Sequence, residues 1–346
     1  MKKLLTAIFA MASTTCALAQ ETTTSPLEIS GSVDTYFKYD FAKNPLNSKT
    51  SFVTDHNSVS LGMIDIALKK KTGKASFVGE LSFGPRGQSQ SIPDASQDAL
   101  TPAKSSFNIQ NLYVNYDFTD KFSMTAGYMG TFIGYEVISP VGNFNYSTSY
   151  LFTNGPFQNA GIKATYKFSD KVSLMAGLFN DWNVYSASRG VSAVGGQLMV
   201  APVEGWTAYI NALSGAGFGG YGTIVDLTTS YQITEKFKLG LNAANYDIKD
   251  SSVQGSYAGA ALYPQYAVAD AVTIGLRGEY FKAKAFGTTA ATSTTALTLT
   301  ANVKSGGLTF IPEVRLDHNS DKPFFNKSGA LAPNAGQFSL AAVYAF

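Results

Sequence analysis

Apolar and polar residues alternate with a period of two along most of this chain, and the pattern runs to its last residue. In residues 336–346, Phe338, Leu340, Ala342, Tyr344 and Phe346 share one parity, and Gln337, Ser339, Ala341, Val343 and Ala345 the other. Successive side chains of a strand point to opposite faces, so such a segment has one strongly apolar face. In residues 27–41, Ile29, Val33, Phe37, Tyr39 and Phe41 oppose Glu28, Ser30, Ser32, Asp34, Lys38 and Asp40. Residues 75–83 set Phe77, Leu81 and Phe83 against Ser76, Glu80 and Ser82, and residues 272–281 set Ile274, Leu276 and Tyr280 against Thr273, Arg277 and Glu279. Residues 308–317 set Leu308, Phe310, Val314 and Leu316 against Thr309, Glu313, Arg315 and Asp317. Amphipathic helices would repeat near 3.6. Pro312 falls on the apolar face, where its missing N–H predicts a bulge.

Such strands need an apolar partner for their outer face, and the composition says what it is. Lys2 and Lys3, the apolar stretch 4–11 and Ala17-Leu18-Ala19 read as an export leader over residues 1–19, cleaved after Ala19. Cleavage removes Cys16, the one cysteine, and with it disulfide, thiolate-metal and cysteine-nucleophile chemistry. It also removes Lys2 and Lys3 from the 26 basic residues, which leaves the remainder level with the 24 acidic ones. That balance argues against nucleic acid as a partner. Charged residues are only 14% of the chain and aromatics 13%, against about 25% charged in an ordinary soluble domain. After the leader no apolar run approaches the length of a membrane helix. Residues 20–346 are therefore read as one all-β domain: a transmembrane antiparallel up-and-down β-barrel in the outer membrane of a diderm bacterium, with outer-membrane lipids around it. Closure follows from chemistry, because hydrocarbon offers no partner to the N–H and C=O groups of an open edge.

An internal repeat punctuates the alternation. Tyr116-Asp-Phe-Thr-Asp-Lys-Phe-Ser-Met returns as Tyr166-Lys-Phe-Ser-Asp-Lys-Val-Ser-Leu and Tyr231-Gln-Ile-Thr-Glu-Lys-Phe-Lys-Leu, and more weakly from Tyr266. Each copy reads as a strand end, a short polar turn and a strand start. Residues 69–74, 202–205 and 305–307 read as three further short turns. Seven short turns with both termini at the same end predict sixteen strands. Blurred alternation at 58–69, 191–200 and 256–268 keeps fourteen or eighteen open. Longer stretches near 42–56, 85–104, 134–157, 183–190, 214–222, 248–255, 285–293 and 319–334 are expected as loops at the opposite, external end. Trp206 and Trp182 are expected in aromatic girdles at the two ends.

Two resemblances sharpen this reading. The ending, with aromatics at Phe338, Tyr344 and Phe346, resembles the last strand of outer-membrane barrels, which implies recognition by the barrel-assembly machinery. Ile133-Gly-Tyr-Glu136, Asn145-Tyr-Ser-Thr-Ser-Tyr150, Gly155-Pro-Phe157, Gly161-Ile-Lys163 and Gly177-Leu-Phe-Asn-Asp-Trp-Asn183, in this order, resemble the OmpL-like β-barrel porin family. Glu313-Val-Arg-Leu-Asp317 followed by Phe324-Phe325 is similar to its near-terminal segment. Asp181 departs from the pattern, which would have Gly before the Trp. The resemblance implies an outer-membrane channel admitting small hydrophilic solutes or ions, with no enzymatic step and no cofactor. Porins of this size occur as monomers and as homotrimers.

Candidate functional residues follow from parity and loop composition. The segment 134–157 is unusually apolar for an external loop, so it either folds into the lumen, with Glu136 near a constriction, or stands above the membrane on tall strands. Lys38, Lys163, Lys238, Arg277 and Arg315 share the inward face with Asp34, Glu80, Asp226, Glu279, Glu313 and Asp317. They either set a selectivity field or simply keep the wall hydrated, and their balance predicts weak ion selectivity. Glu313, Arg315 and Asp317 form one inward stripe. His56 and His318 sit in matching Asp-His-Asn-Ser tetrapeptides. A lipid hydrolase or metal site there is the rival to turn chemistry, and a purely structural or surface-interaction barrel is the other rival to a channel.

Overall fold

The computed structural model describes residues 25–88, 107–187, 190–217 and 220–346. The expected leader, with its cleavage after Ala19, lies outside the described residues, and so does most of the expected loop 85–104. The strands are β1 (Glu28–Asp40), β2 (Ser58–Thr72), β3 (Ala75–Phe83), β4 (Phe107–Asp117), β5 (Phe122–Gly130), β6 (Gln158–Ser169), β7 (Val172–Phe179), β8 (Ala193–Val200), β9 (Trp206–Gly217), β10 (Gly220–Gln232), β11 (Phe237–Ile248), β12 (Tyr257–Ala269), β13 (Val272–Ala283), β14 (Thr292–Ser305) and β15 (Leu308–Asn319). A two-residue pair, β16 (Phe324–Phe325) and β17 (Leu331–Ala332), decorates the last loop before β18 (Asn334–Ala345). All but β16 and β17 form one closed antiparallel barrel of sixteen strands in chain order, with β18 between β15 and β1.

The closing seam is fully zipped. Ser32 to Asp40 pair with Ala345 to Gln337, and beyond them Gly31 and Phe346 exchange two backbone hydrogen bonds of 3.0 Å. Gly31 is required there, because a Cβ would meet Asp65 O at 2.3 Å and the Phe346 ring at 2.8 Å. The alternation sorts as the sequence indicates. Leu112, Val114, Ile162, Leu174, Leu297 and Phe310 are exposed on the outer wall, while Asp34, Asn211, Asp226, Arg277 and Glu313 are buried inside. The repeat gains a physical meaning. Its Thr side chains close the turns, Thr119 Oγ1 accepting from Phe122 N at 3.0 Å and Thr234 Oγ1 from Phe237 N at 3.0 Å. Its leading Tyr116, Tyr166 and Tyr266 are exposed on the outer wall at the short-turn end, where Phe118 and Phe168 pack edge-on against the first two. This is one aromatic girdle, and Trp206 joins it beside Tyr231.

The expected sixteen strands are present, and the blurred segments are strands β2, β8 and β12. Three details depart from expectation. The expected loop 214–222 is mostly strand: β9 and β10 pair as far as Gly217 and Gly220, because small residues extend a ladder as well as they make a loop. Pro312 causes no bulge. Pairs are missing opposite it, but the register is the same at Leu299–Val314 and Val303–Phe310, so the ladder loses a bond without slipping. Trp182 is not in a girdle. It is buried inside the barrel, 4.9 Å from the Tyr246 ring, in the loop after β7.

Candidate functional site

The loop from Thr131 to Phe157, between β5 and β6, enters the barrel. Tyr146, Ser147, Thr148, Ser149, Tyr150 and Leu151 are all buried, and they contact strands far around the wall. An irregular segment inside a barrel must find partners for every peptide group, and here charged side chains of the wall supply them. Glu313 accepts from Tyr146 N and Ser147 N at 3.0 and 3.1 Å. Glu279 accepts from Tyr150 N and Leu151 N at 3.0 and 2.9 Å. Asp226 accepts from Gly134 N at 3.0 Å, while Asn211 and Asn242 donate to the same carboxylate. Arginines take the carbonyls. Arg277 donates to Ser147 O at 2.6 Å and Arg315 to Thr148 O at 2.6 Å.

Glu136 lies on the loop itself. It pairs with Arg277 at 2.7 Å and accepts from Ser149 N at 2.7 Å and from the Tyr263 hydroxyl at 3.3 Å. Asp317 holds Arg315 by its Nε at 2.9 Å, and the guanidinium lies 5.1 Å from the Tyr150 ring. Asp34 accepts from the Tyr146 hydroxyl and, across a bulge in β2, from Met63 N at 2.8 Å. Burial pushes the Tyr146 and Tyr150 phenols up from their ordinary values, so Tyr146 remains the donor to Asp34. The Ser149 side chain caps the helical turn Tyr150–Asn154 through Phe152 N at 2.9 Å. The stretch Asn145–Tyr150, singled out by resemblance, is thus the most heavily clamped part of the loop.

Shape complements charge. Phe132, Tyr135 and Phe144 of the loop lie over glycines of the wall. A Cβ on Gly195 would meet Phe132 at 2.6 Å, on Gly240 the Tyr135 hydroxyl at 2.3 Å, and on Gly275 the Phe144 ring at 2.3 Å. Below, Tyr135 stacks on Tyr263 at 4.5 Å. An apolar cluster of Tyr150, Leu151, Phe179, Leu213, Ile224 and Phe281 joins the loop to β7–β13.

The sequence-derived residues therefore meet, though in a specific arrangement. Glu136, Arg277, Glu279, Glu313, Arg315 and Asp317 form one network beneath and around the loop, and Asp34 reaches it through Tyr146. Arg277 is 0% exposed and Arg315 2%. Lys38 stands apart: it holds the first external loop by donating to Val53 O and Thr54 O at 3.1 Å each. Phe338 and Tyr344 lie on the outer parity of β18 at the seam, and Phe346, one residue past its end, continues that parity. Arg86 escaped the sequence reading. It donates to Ile138 O and Tyr146 O at 3.1 and 3.2 Å and sits between the Phe52 and Tyr146 rings. Its only sequence signal is a cation directly after Gly84-Pro85, just past the end of β3. The wall glycines were also missed; they show as inward-parity Gly in otherwise polar positions.

The remaining wall is less covered. Glu80, Asn111, Thr125, Lys163, Gln197 and Tyr209, on the inner face of β3 to β9, keep partial exposure. At the short-turn end, a cavity of about 610 Å³ lies below the loop. The histidines sit elsewhere. His56 Nδ1 accepts from Asp40 N at 3.0 Å, and His318 Nδ1 meets Asn334 Oδ1 at 2.7 Å. Among the described residues no group of His, Asp and Glu is placed to hold a metal.

Known structures share this architecture. The outer-membrane channel DcaP of Acinetobacter baumannii superposes with a TM-score of 0.63 at 12% identity, covering 92% of this chain and 97% of that one. The anion-selective porin of Comamonas acidovorans gives 0.62 at 12%, with 94% and 100% covered. The trimer form of Vibrio cholerae OmpT, an outer-membrane protein, gives 0.60 at 13%, with 93% and 99% covered. At such identities the likeness concerns the fold. No curated protein matches the sequence. Residues 26–346 match the family described as "Putative beta-barrel porin-2, OmpL-like". A closed sixteen-strand wall, a lipid-facing exterior and this match over nearly the whole chain place the protein in the OmpL-like family of outer-membrane β-barrel porins.

Proposed function

We propose that small hydrophilic solutes cross the outer membrane passively through this barrel, between the inward loop and the polar wall of β3 to β9. The carrying observation is the loop, which is held against the β10–β1 side by buried charges and leaves the opposite side partly exposed. Sixteen strands are wide enough for an aqueous lumen, and the loop narrows it. No chemical step is involved: the protein supplies a hydrated path through a low-dielectric barrier. Export with cleavage after Ala19 and insertion by the barrel-assembly machinery complete the reading. A homotrimer is favoured by the trimer form of the Vibrio cholerae relative, and chemical crosslinking in membranes tests it.

The decisive experiment is planar-bilayer recording of the purified protein beside a variant lacking residues 137–152. Wild type should form discrete channels, and the deletion should raise single-channel conductance severalfold. Absence of channels in both would leave the structural-barrel reading in place, and equal conductances would remove the loop from the constriction.

A further inference from the structure

We infer that the lumen selects anions, through a cationic recess below the inward loop that binds small oxyanions such as phosphate or short dicarboxylates. This inference rests on the channel reading and extends it to substrate class.

The sequence suggests a balanced interior, but the structure divides the two signs unequally. The inward carboxylates are occupied. Asp226, Glu279 and Glu313 accept backbone N–H groups of the loop. Glu136 is paired with Arg277, and Asp317 with Arg315. Asp34 is taken up by Tyr146, Met63 N and Arg86. The buried arginines are consumed with them. What remains with access to water is mostly lysine.

Lys238 of β11 and Lys304 of β14 both line the 610 Å³ cavity beneath the loop. No acidic residue lines it; its other polar walls are Gln265, Thr273, Asn302 and Thr309, with Tyr135 and Asn143 of the loop above. Among the described residues neither lysine has an ion pair or a side-chain hydrogen bond, whereas Lys71 and Lys284 at the barrel ends both pair with aspartates. Lys163, on the inner face of β6, is likewise unpaired. Of the acidic groups on and beside the less covered wall, Glu80 on β3 is held by Asn111, Asp65 on β2 by Ser32 and Asp117 on β4 by Lys71. The two recess lysines stand three strands apart and, by the ladder Lys238–Gln265–Gly275–Thr300, four residues out of level, roughly 19 Å between their backbones. Their flexible stems let both ammonium groups reach into the same recess. A narrow aqueous space walled by uncompensated cations concentrates anions and repels cations. The recess opens at the end carrying the short turn Gly306–Gly307, which a porin turns toward the periplasm.

The test uses the full chain in planar bilayers under a potassium chloride gradient, beside the double variant Lys238→Gln/Lys304→Gln. Wild type should show a reversal potential of the anion-preferring sign, and the double variant should lower the anion-to-cation permeability ratio about threefold or more. Phosphate and malonate, added separately from the short-turn side, should each reduce chloride current in wild type only. The stronger blocker identifies the preferred oxyanion. Binding without current is read by thermal unfolding in detergent, where millimolar phosphate should raise the midpoint of wild type and leave the double variant unmoved. Channels that prefer cations, or a double variant identical to wild type in both assays, would overturn the inference while leaving the porin reading intact. Absence of channels would overturn both, and the thermal measurement would then show whether the recess binds phosphate at all.

Discussion

Glu279 shows what a single inward charge does in this barrel. Its two oxygens accept Tyr150 N and Leu151 N, so Glu279→Ala strands two buried donors and should cost roughly 2–4 kcal/mol. Glu279→Gln keeps one acceptor and should cost about half of that. Urea unfolding of the micelle-folded protein reads both, and equal costs for the two variants would deny the clamp. Gly240 makes the complementary steric point. Gly240→Val drives a side chain into the Tyr135 ring and should cost about 1–3 kcal/mol while loosening the loop. A conductance unchanged from wild type would mean that Tyr135 is not seated there. Parity in the sequence already placed Glu279, Arg277, Glu313 and Arg315 on the inner face. It left their partners unassigned, because a period of two fixes the side a residue faces and carries no information about a loop that returns more than a hundred residues away in sequence. Arg86 was missed for the same reason: nothing local distinguishes a loop cation from one that reaches across a lumen.

Among the elements, β18 was the most legible. Its alternation gave the strand, and its pairing with β1 follows from the need to close an edge. Phe346 then has a mechanical role, since its backbone exchanges two hydrogen bonds with Gly31 and its ring packs where Gly31 has no side chain. Deleting Phe346 should lower the amount of protein assembled in the outer membrane severalfold, while Phe346→Tyr, which keeps ring and backbone, should not. Quantitative blotting of membrane fractions decides, and full assembly of the deletion would reduce the terminal aromatic to a bystander. The elements hardest to read were those rich in small residues. Residues 214–222 contain Ser, Ala and Gly in a mixture equally suited to a loop or a hairpin tip, and only pairing between β9 and β10 resolves them. Trp182 misled in another way. An aromatic near a loop suggests a girdle, yet this loop folds inward and takes its indole into the interior cluster.

Across the whole molecule, two solvents decide where each residue type belongs. The outer wall faces hydrocarbon, the inner wall faces water or the loop, and neighbouring residues of one strand sample both. β4 offers a direct comparison. Val114 is 60% exposed on the outer wall, and Asn115 faces inward, where it accepts from the Thr125 hydroxyl at 2.9 Å. An arginine at Val114 would meet lipid and should cost about 2–4 kcal/mol near the midplane, less toward the short-turn interface. An arginine at Asn115 exchanges one polar partner for another in a hydrated lumen, and should cost about 1 kcal/mol or less. Folding each variant into phospholipid vesicles over a urea series yields the two free energies directly. A larger cost at Asn115 than at Val114 would mean that the wall is turned inside out relative to this description. The same inversion would place the loop clamps and the lysine recess in lipid, where their charges have no reason to exist.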